Sequence, residues 1–152
     1  MKYHKTRRQS RITIVHVLYK YELLEQPINV EEAFEEYELN REELAKVSAI
    51  AKNYSFLKKT LSSLFNKNWQ WDRISPLIRA IILNAAFEMY SIEPKIVINE
   101  AIEITKLYFP KDEKDEEKTI TGQFYKFVNS LLESYYKLTV TLEAALEKED
   151  KK

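Results

Sequence analysis

Three arginines near the amino terminus are the side chains of this sequence best suited to holding a ligand. Arg7 and Arg11 stand four positions apart with Arg8 beside the first, so on a helix they project from one side. Guanidinium forks grip phosphate oxygens in pairs, and Lys2 and Lys5 just upstream add ammoniums that can follow a charged backbone. Tyr3, His4 and Tyr19 lie close enough along the chain to stack on unpaired bases. Lys2, Lys5, Arg7, Arg8, Arg11 and Lys20 all precede the first carboxylate, Glu22, and nine glutamates then stand against Arg41 and Lys46 as far as residue 46. The formal net charge is zero, so the segregation carries the information. It points to a polyanion such as RNA, against the alternative of a solvated terminus that only aids solubility.

Three further groupings are less specific. Trp69–Arg73, WQWDR, could be a stacking platform, but paired tryptophans more often close one end of a helical core, and the core reading is taken. Glu100 and Glu103 lie one turn apart and could act as acid and base or hold a divalent metal. With no histidine or third carboxylate near them in sequence, they read as one face of an amphipathic helix. Phe124–Leu132, FYKFVNSLL, starts a helix whose first turn, with Lys126 alongside, offers backbone N–H groups to a phosphate.

Composition removes many alternatives. No cysteine is present, so disulfides, thiolate zinc sites and a thiol nucleophile are out, and two histidines are too few for most metal centres. The single glycine, Gly122, cannot build a phosphate-cradling loop, a dinucleotide fingerprint or a nucleophile elbow. No apolar run approaches the ~20 residues that span a bilayer, and Thr13 and His16 interrupt the one stretch resembling a signal peptide. The expectation is a cytoplasmic, non-enzymatic protein with no cofactor and no metal.

The elements that must position the arginines are helical almost throughout, and one all-α domain over residues 1–152 is expected, a compact bundle of six to seven helices. The first runs from about Thr6 to Leu24, with Ile12, Val15, Tyr19 and Leu23 on a shared face. Asn29 before Glu32 and Asn40 before Glu43 mark two helix starts. The second start opens a long helix to about Phe65. Ser75 and Pro76 start a helix to about Tyr90 that is apolar nearly all round and therefore central. Further helices run from Pro94 to about Phe109 and from Phe124 to about Leu138. Residues 1–6 read as a flexible basic arm and 110–122 as an acidic loop containing KDEKDEEK. Residues 139–152 read as an extension that prolongs the last helix or forms another.

The order of these motifs resembles the NusB family of transcription antitermination factors: Arg7, Arg8, Arg11, Leu18 and Tyr19; then RAIILNAAFE, Arg79–Glu88; then Pro94 with INEAIE, Ile98–Glu103, and Lys106; then KFVNSLL, Lys126–Leu132. The resemblance spans residue 5 to about 135. It implies two packed helical sub-bundles and binding of single-stranded boxA RNA from ribosomal RNA leaders. It also implies partnership with the ribosomal protein NusE and entry into the RNA polymerase antitermination complex. It places Arg7, Arg8, Arg11, Tyr19, Lys126 and Phe127 at the RNA; Lys2, His4 and Lys5 extend that surface by extrapolation, and Ile78 and Arg79 are implied at the protein partner. The chain departs from the family pattern at Ile78, where an acid is usual, at Ser130, where glycine is usual, and in the length of its acidic loop. The alternatives are the NusB-like domain of ribosomal RNA cytosine methyltransferases, for which no cysteine nucleophile is present, and a helical adaptor that binds only proteins.

Overall fold

Capping chemistry sets the helix starts. Thr6 accepts a hydrogen bond from the Gln9 N–H at 3.1 Å while the Gln9 side chain accepts from the Thr6 N–H at 2.8 Å, and α1 runs Arg7–Leu24. Asn29 caps α2, Val30–Glu36, and Asn40 with Glu43 forms a reciprocal box that opens α3, Arg41–Ser63. A short 3-10 turn, Trp71–Arg73, leads to α4, Pro76–Glu88, and Pro94 begins α5, Pro94–Tyr108. Both prolines occupy the first helical turn, where a missing N–H costs nothing, and Ser75 contributes no side-chain cap. Glu25 ends α1 in the left-handed region at φ 54°, and Pro27 follows.

The computed structural model describes residues 5–110 and 120–150 and contains no strand among them. Lys2 and His4, with the rest of the basic arm before Lys5, lie outside the described residues, as does most of the acidic loop, 111–119. The loop's expected far end is corrected: α6 spans Ile120–Asp150, so it starts before Gly122 and Phe124 and carries the 139–150 extension as one continuous helix. A 31-residue helix outlasts the body it packs on, and Val140, Leu142 and Leu146 stand exposed on it.

α4 lies at the centre, touching α1 and α3, and α5 and α6. Ile78, Ala80, Ile81, Ile82, Leu83 and Ala86 are buried, as its all-round apolar surface demands. Removing each large side chain from water contributes about 1.5–3 kcal/mol. In α1 the buried arc is Ile14, Val15, Val17, Leu18 and Tyr21, while Leu23 is 55% exposed. The sequence stripe through Leu23 is therefore displaced, because the side of α1 that α4 covers is centred on Leu18 rather than on Tyr19.

Two buried polar clusters join α1 to α4. Glu22 accepts from Arg79 Nε at 2.9 Å and from the Trp71 indole N–H at 3.1 Å, and the Tyr54 hydroxyl donates to its other oxygen. The remaining Arg79 nitrogens donate to the carbonyls of Trp71, Ile74 and Glu22 at 3.0–3.1 Å. Arg79→Met would strand a buried carboxylate and three carbonyls. Urea unfolding should show a loss of about 3–5 kcal/mol, part of which returns when Glu22→Gln is added. A wild-type midpoint would contradict this account of the cluster.

Candidate nucleic-acid interface

The three arginines fall in three environments. Arg7 is exposed and has no ion-pair partner among the described residues. Arg8 lies on the surface with its fork closed on Glu100 of α5: Nε to Oε2 and Nη2 to Oε1, both 2.9 Å. Arg11 is 7% exposed and directs Nε at both oxygens of Glu88, 2.9 and 3.0 Å away. Glu88 also receives Lys46 at 2.8 Å, and the Lys46 ammonium is held below its ordinary pKa by burial. Arg11 thus fixes α1 to α4 from inside, whereas the sequence pattern placed it with its neighbours on a ligand-facing side.

Lys5 reaches Glu43 and Thr13, each at 3.3 Å, so the first described cation is tied loosely to the start of α3. Farther along α1, the His16 ring is hydrogen-bonded to the Tyr108 hydroxyl, and burial lowers the imidazole's pKa. Arg8 with Glu100 and His16 with Tyr108 are matched at the same eight-residue step, so α5 runs parallel beside α1. Tyr19 is half-buried on the same helix and packs against the core. At the start of α1, Arg8 and, at 3.8 Å, Arg11 both reach Glu100 of α5.

Lys126 and Phe127 occupy a different site. Lys126 is exposed on α6 and Phe127 is half-buried, and they line a cleft of about 340 Å³ with Leu64, Phe65 and Trp69, whose walls include none of the α1 arginines. The Trp69 and Phe127 rings lie 4.7 Å apart, and Phe65 sits 5.9 Å behind Phe127. Trp71 is buried with its N–H on Glu22, which fits the core reading; Trp69, half-buried at the cleft, fits it only in part. The helix-start argument for Lys126 is corrected, since from Phe124 onward each N–H has a carbonyl four residues back within α6.

Ile78 is fully buried and Arg79 is 6% exposed, so the two residues implied at a protein partner lie inside this fold. The physical reason is that α4 is covered from both sides and Arg79 is consumed by Glu22 and three carbonyls. Glu100 is occupied by Arg8, and among the described residues no cluster of three or more His, Cys, Asp or Glu side chains could hold a metal. Sequence reasoning missed the acidic partners Glu22, Glu88 and Glu100, which lie far along the chain from the arginines they hold. It also missed Phe65 and Asn66 at the cleft, which carry no motif of their own.

An all-helical chain with this order of elements has a solved counterpart. The T. maritima NusB structure superposes with a TM-score of 0.69, covering 89% of this chain and 93% of that one at 24% identity, which establishes the shared fold. The NusB family model matches residues 8–137, and the chain belongs to that family. Among curated relatives, the transcription antitermination protein NusB of Nitratiruptor sp. is 28% identical over 139 residues, 87% of this chain and 92% of the relative. That of Acetivibrio thermocellus is 30% identical over 131 residues, 79% and 88% respectively.

The Arg8 contact makes a measurable electrostatic prediction. Hydrogen bonds from Arg8 hold the Glu100 carboxyl below its ordinary pKa, and the reciprocal bond raises that of Arg8. A carboxylate depressed in the folded state adds stability above its unfolded pKa and loses it as the pH falls through the folded value. In Arg8→Ala, carboxyl NMR should show the Glu100 midpoint moved upward. An unmoved midpoint would mean that the contact does not persist in solution.

Proposed function

We propose that this chain is a transcription antitermination factor that binds boxA-type single-stranded RNA in ribosomal RNA leaders. The ribosomal protein NusE is its partner within the RNA polymerase antitermination complex. Membership of the NusB family and the antitermination role named for its relatives support the reading. The single observation that carries it is the exposed Arg7 guanidinium beside an Arg8 fork already oriented by Glu100. The protein performs no bond chemistry; it recognises and positions RNA in the cytoplasm, where ribosomal RNA is made. No helix among the described residues is long and apolar enough to cross a membrane.

Recognition begins with charge. Arg7, Arg8 and Lys5, extended by Lys2 and His4, draw the phosphate backbone to the start of α1, and counterion release supplies most of the sequence-independent affinity. Arg8 exchanges one anionic partner for another, because a phosphate presents paired oxygens much as a carboxylate does. Tyr19 and Phe127 offer aromatic surface to unpaired bases, and Lys126 a second phosphate contact. Arg11 positions α1 from within. Ile78 and Arg79 act on partner binding indirectly, by fixing the start of α4, and NusE meets exposed side chains around them.

The charge step is tested by titration with boxA RNA across salt concentrations. About four neutralised phosphates give a slope of log affinity on log salt near −3 for a single strand. Arg7→Ala combined with Arg8→Ala should weaken binding and bring the slope to about −1.5. A variant with unchanged slope would place the RNA elsewhere.

A further inference from the structure

A second stretch of the chain is free of acids. From Leu44 to Trp71 there are five lysines, Lys46, Lys52, Lys58, Lys59 and Lys67, and no carboxylate. All but Lys67 lie on α3, and the fold sorts them. Lys46 is spent on Glu88, and the Lys58 ammonium lies over the Trp71 ring, 5.8 Å from its centre. Lys52 and Lys59 are exposed, as is Lys67 just past the helix end. None of these three forms an ion pair with a described residue.

Phe56 stands between Lys52 and Lys59. It follows the first by four positions and precedes the second by three, so the three side chains are neighbours on one helical face. The ring is 53% exposed. One exposed ring is ordinary on a protein surface. A ring with an unpaired ammonium one turn to either side is different, because it offers a stacking plane between two phosphate contacts. Ala45, Ser48 and Ser63 fall on the same face and keep it low. The face also adjoins the start of α1: Lys5 reaches Glu43 in the first turn of α3, and Glu22 farther along α1 meets Tyr54. The two helices therefore run side by side in the same direction. Lys52 stands about 14 Å along α3 from Glu43, and Lys59 about 10 Å farther.

We infer that this face of α3 is a second RNA contact, which takes unpaired nucleotides flanking the boxA element. Phe56 stacks on one base, and Lys52 and Lys59 meet the phosphates to either side of it. The inference rests on the RNA-binding function proposed above and adds a surface to it. Lys52, Phe56 and Lys59 are neither on α1 nor among the residues lining the cleft of Lys126 and Phe127. A phenyl ring and ammoniums carry no base code, so the contact raises affinity and leaves selection to the boxA site. Charge alone would also suit an anionic membrane, but a single ring among lysines and small residues lacks the apolar face that seats a helix in lipid.

The test compares boxA RNA alone with boxA RNA carrying oligouridylate tails long enough to reach along α3, titrated on the full chain across salt concentrations. The tails should tighten wild-type binding by on the order of tenfold. Lys52→Gln combined with Lys59→Gln should remove that gain and flatten the salt slope of the tailed RNA by about 1.4. Binding of boxA alone should not change. Phe56→Ala should lose most of the gain with the slope kept, and Phe56→Trp should restore it. All three side chains are exposed, so these variants keep the core intact. Tails that add no affinity overturn the inference, as does a gain that survives the paired lysine change. Tails without effect, together with phosphatidylserine vesicle binding that the paired change abolishes, would give the face to a membrane instead. If boxA alone binds in an Arg7- and Arg8-dependent way while the tails add nothing, only the α3 contact fails. If neither RNA binds, the function proposed for the chain fails with it.

Discussion

Two buried ion pairs fix α1 against α4, and the rest of the molecule is arranged around that pairing. Arg11 meets Glu88 near one end of the contact and Glu22 meets Arg79 near the other. The residue numbers rise along α1 as they fall along α4, so the two helices are antiparallel and pinned twice. Eleven residues of helix separate the α1 pins, roughly 16 Å. Buried aliphatic surface on the two helices, including Ile14, Val15 and Leu18 of α1 and Ile78, Ile81 and Ile82 of α4, is adhesive but tolerant of sliding. The charges are not. A shift of one turn would leave four buried ionised groups without partners, at several kcal/mol each.

That pinning determines which arginines face solvent. Arg11 is drawn inward to Glu88, while Arg7, four residues earlier at the first residue of α1, and Arg8 stay exposed. Lys46 arrives at the same carboxylate from α3, so one acid pairs with two cations and joins three helices. Packing thus divides three neighbouring arginines between the core and the surface. Loss of Glu88 would release two cations and also the helix orientation that aims the others.

Local signals in the chain foretold local structure well. Asn29 and Asn40 cap where their spacing to Glu32 and Glu43 says they must, α1 starts just after Thr6, and the proline-led helices start at Pro76 and Pro94. The start of α6 was missed because Gly122 reads as punctuation, yet a glycine is tolerated in a helix whose later turns pay little conformational penalty once Val128, Leu131, Leu132 and Tyr135 pack. Site chemistry was legible only as far as residue type. An arginine beside two others looks the same whether it will meet phosphate or Glu88, since the deciding acid lies 77 residues away. For the same reason WQWDR gave no hint that its two tryptophans would separate, one onto Glu22 and the other to the cleft.

In the proposed function, the Arg8–Glu100 contact lets a surface built from ion pairs capture a polyanion. A free arginine surrenders side-chain freedom when it binds, a cost of the order of 1–2 kcal/mol. Arg8 has already surrendered it to a carboxylate held on α5, so the fork is presented in one direction. Exchanging Glu100 for phosphate would preserve two hydrogen bonds and leave the acid with the Arg11 guanidinium 3.8 Å away. Arg7 has no such hold among the described residues, and in the proposed function its net positive charge draws the strand in before Arg8 exchanges partners. Attraction and orientation are thereby assigned to neighbouring residues of the same type, distinguished only by whether an acid from another helix stands opposite.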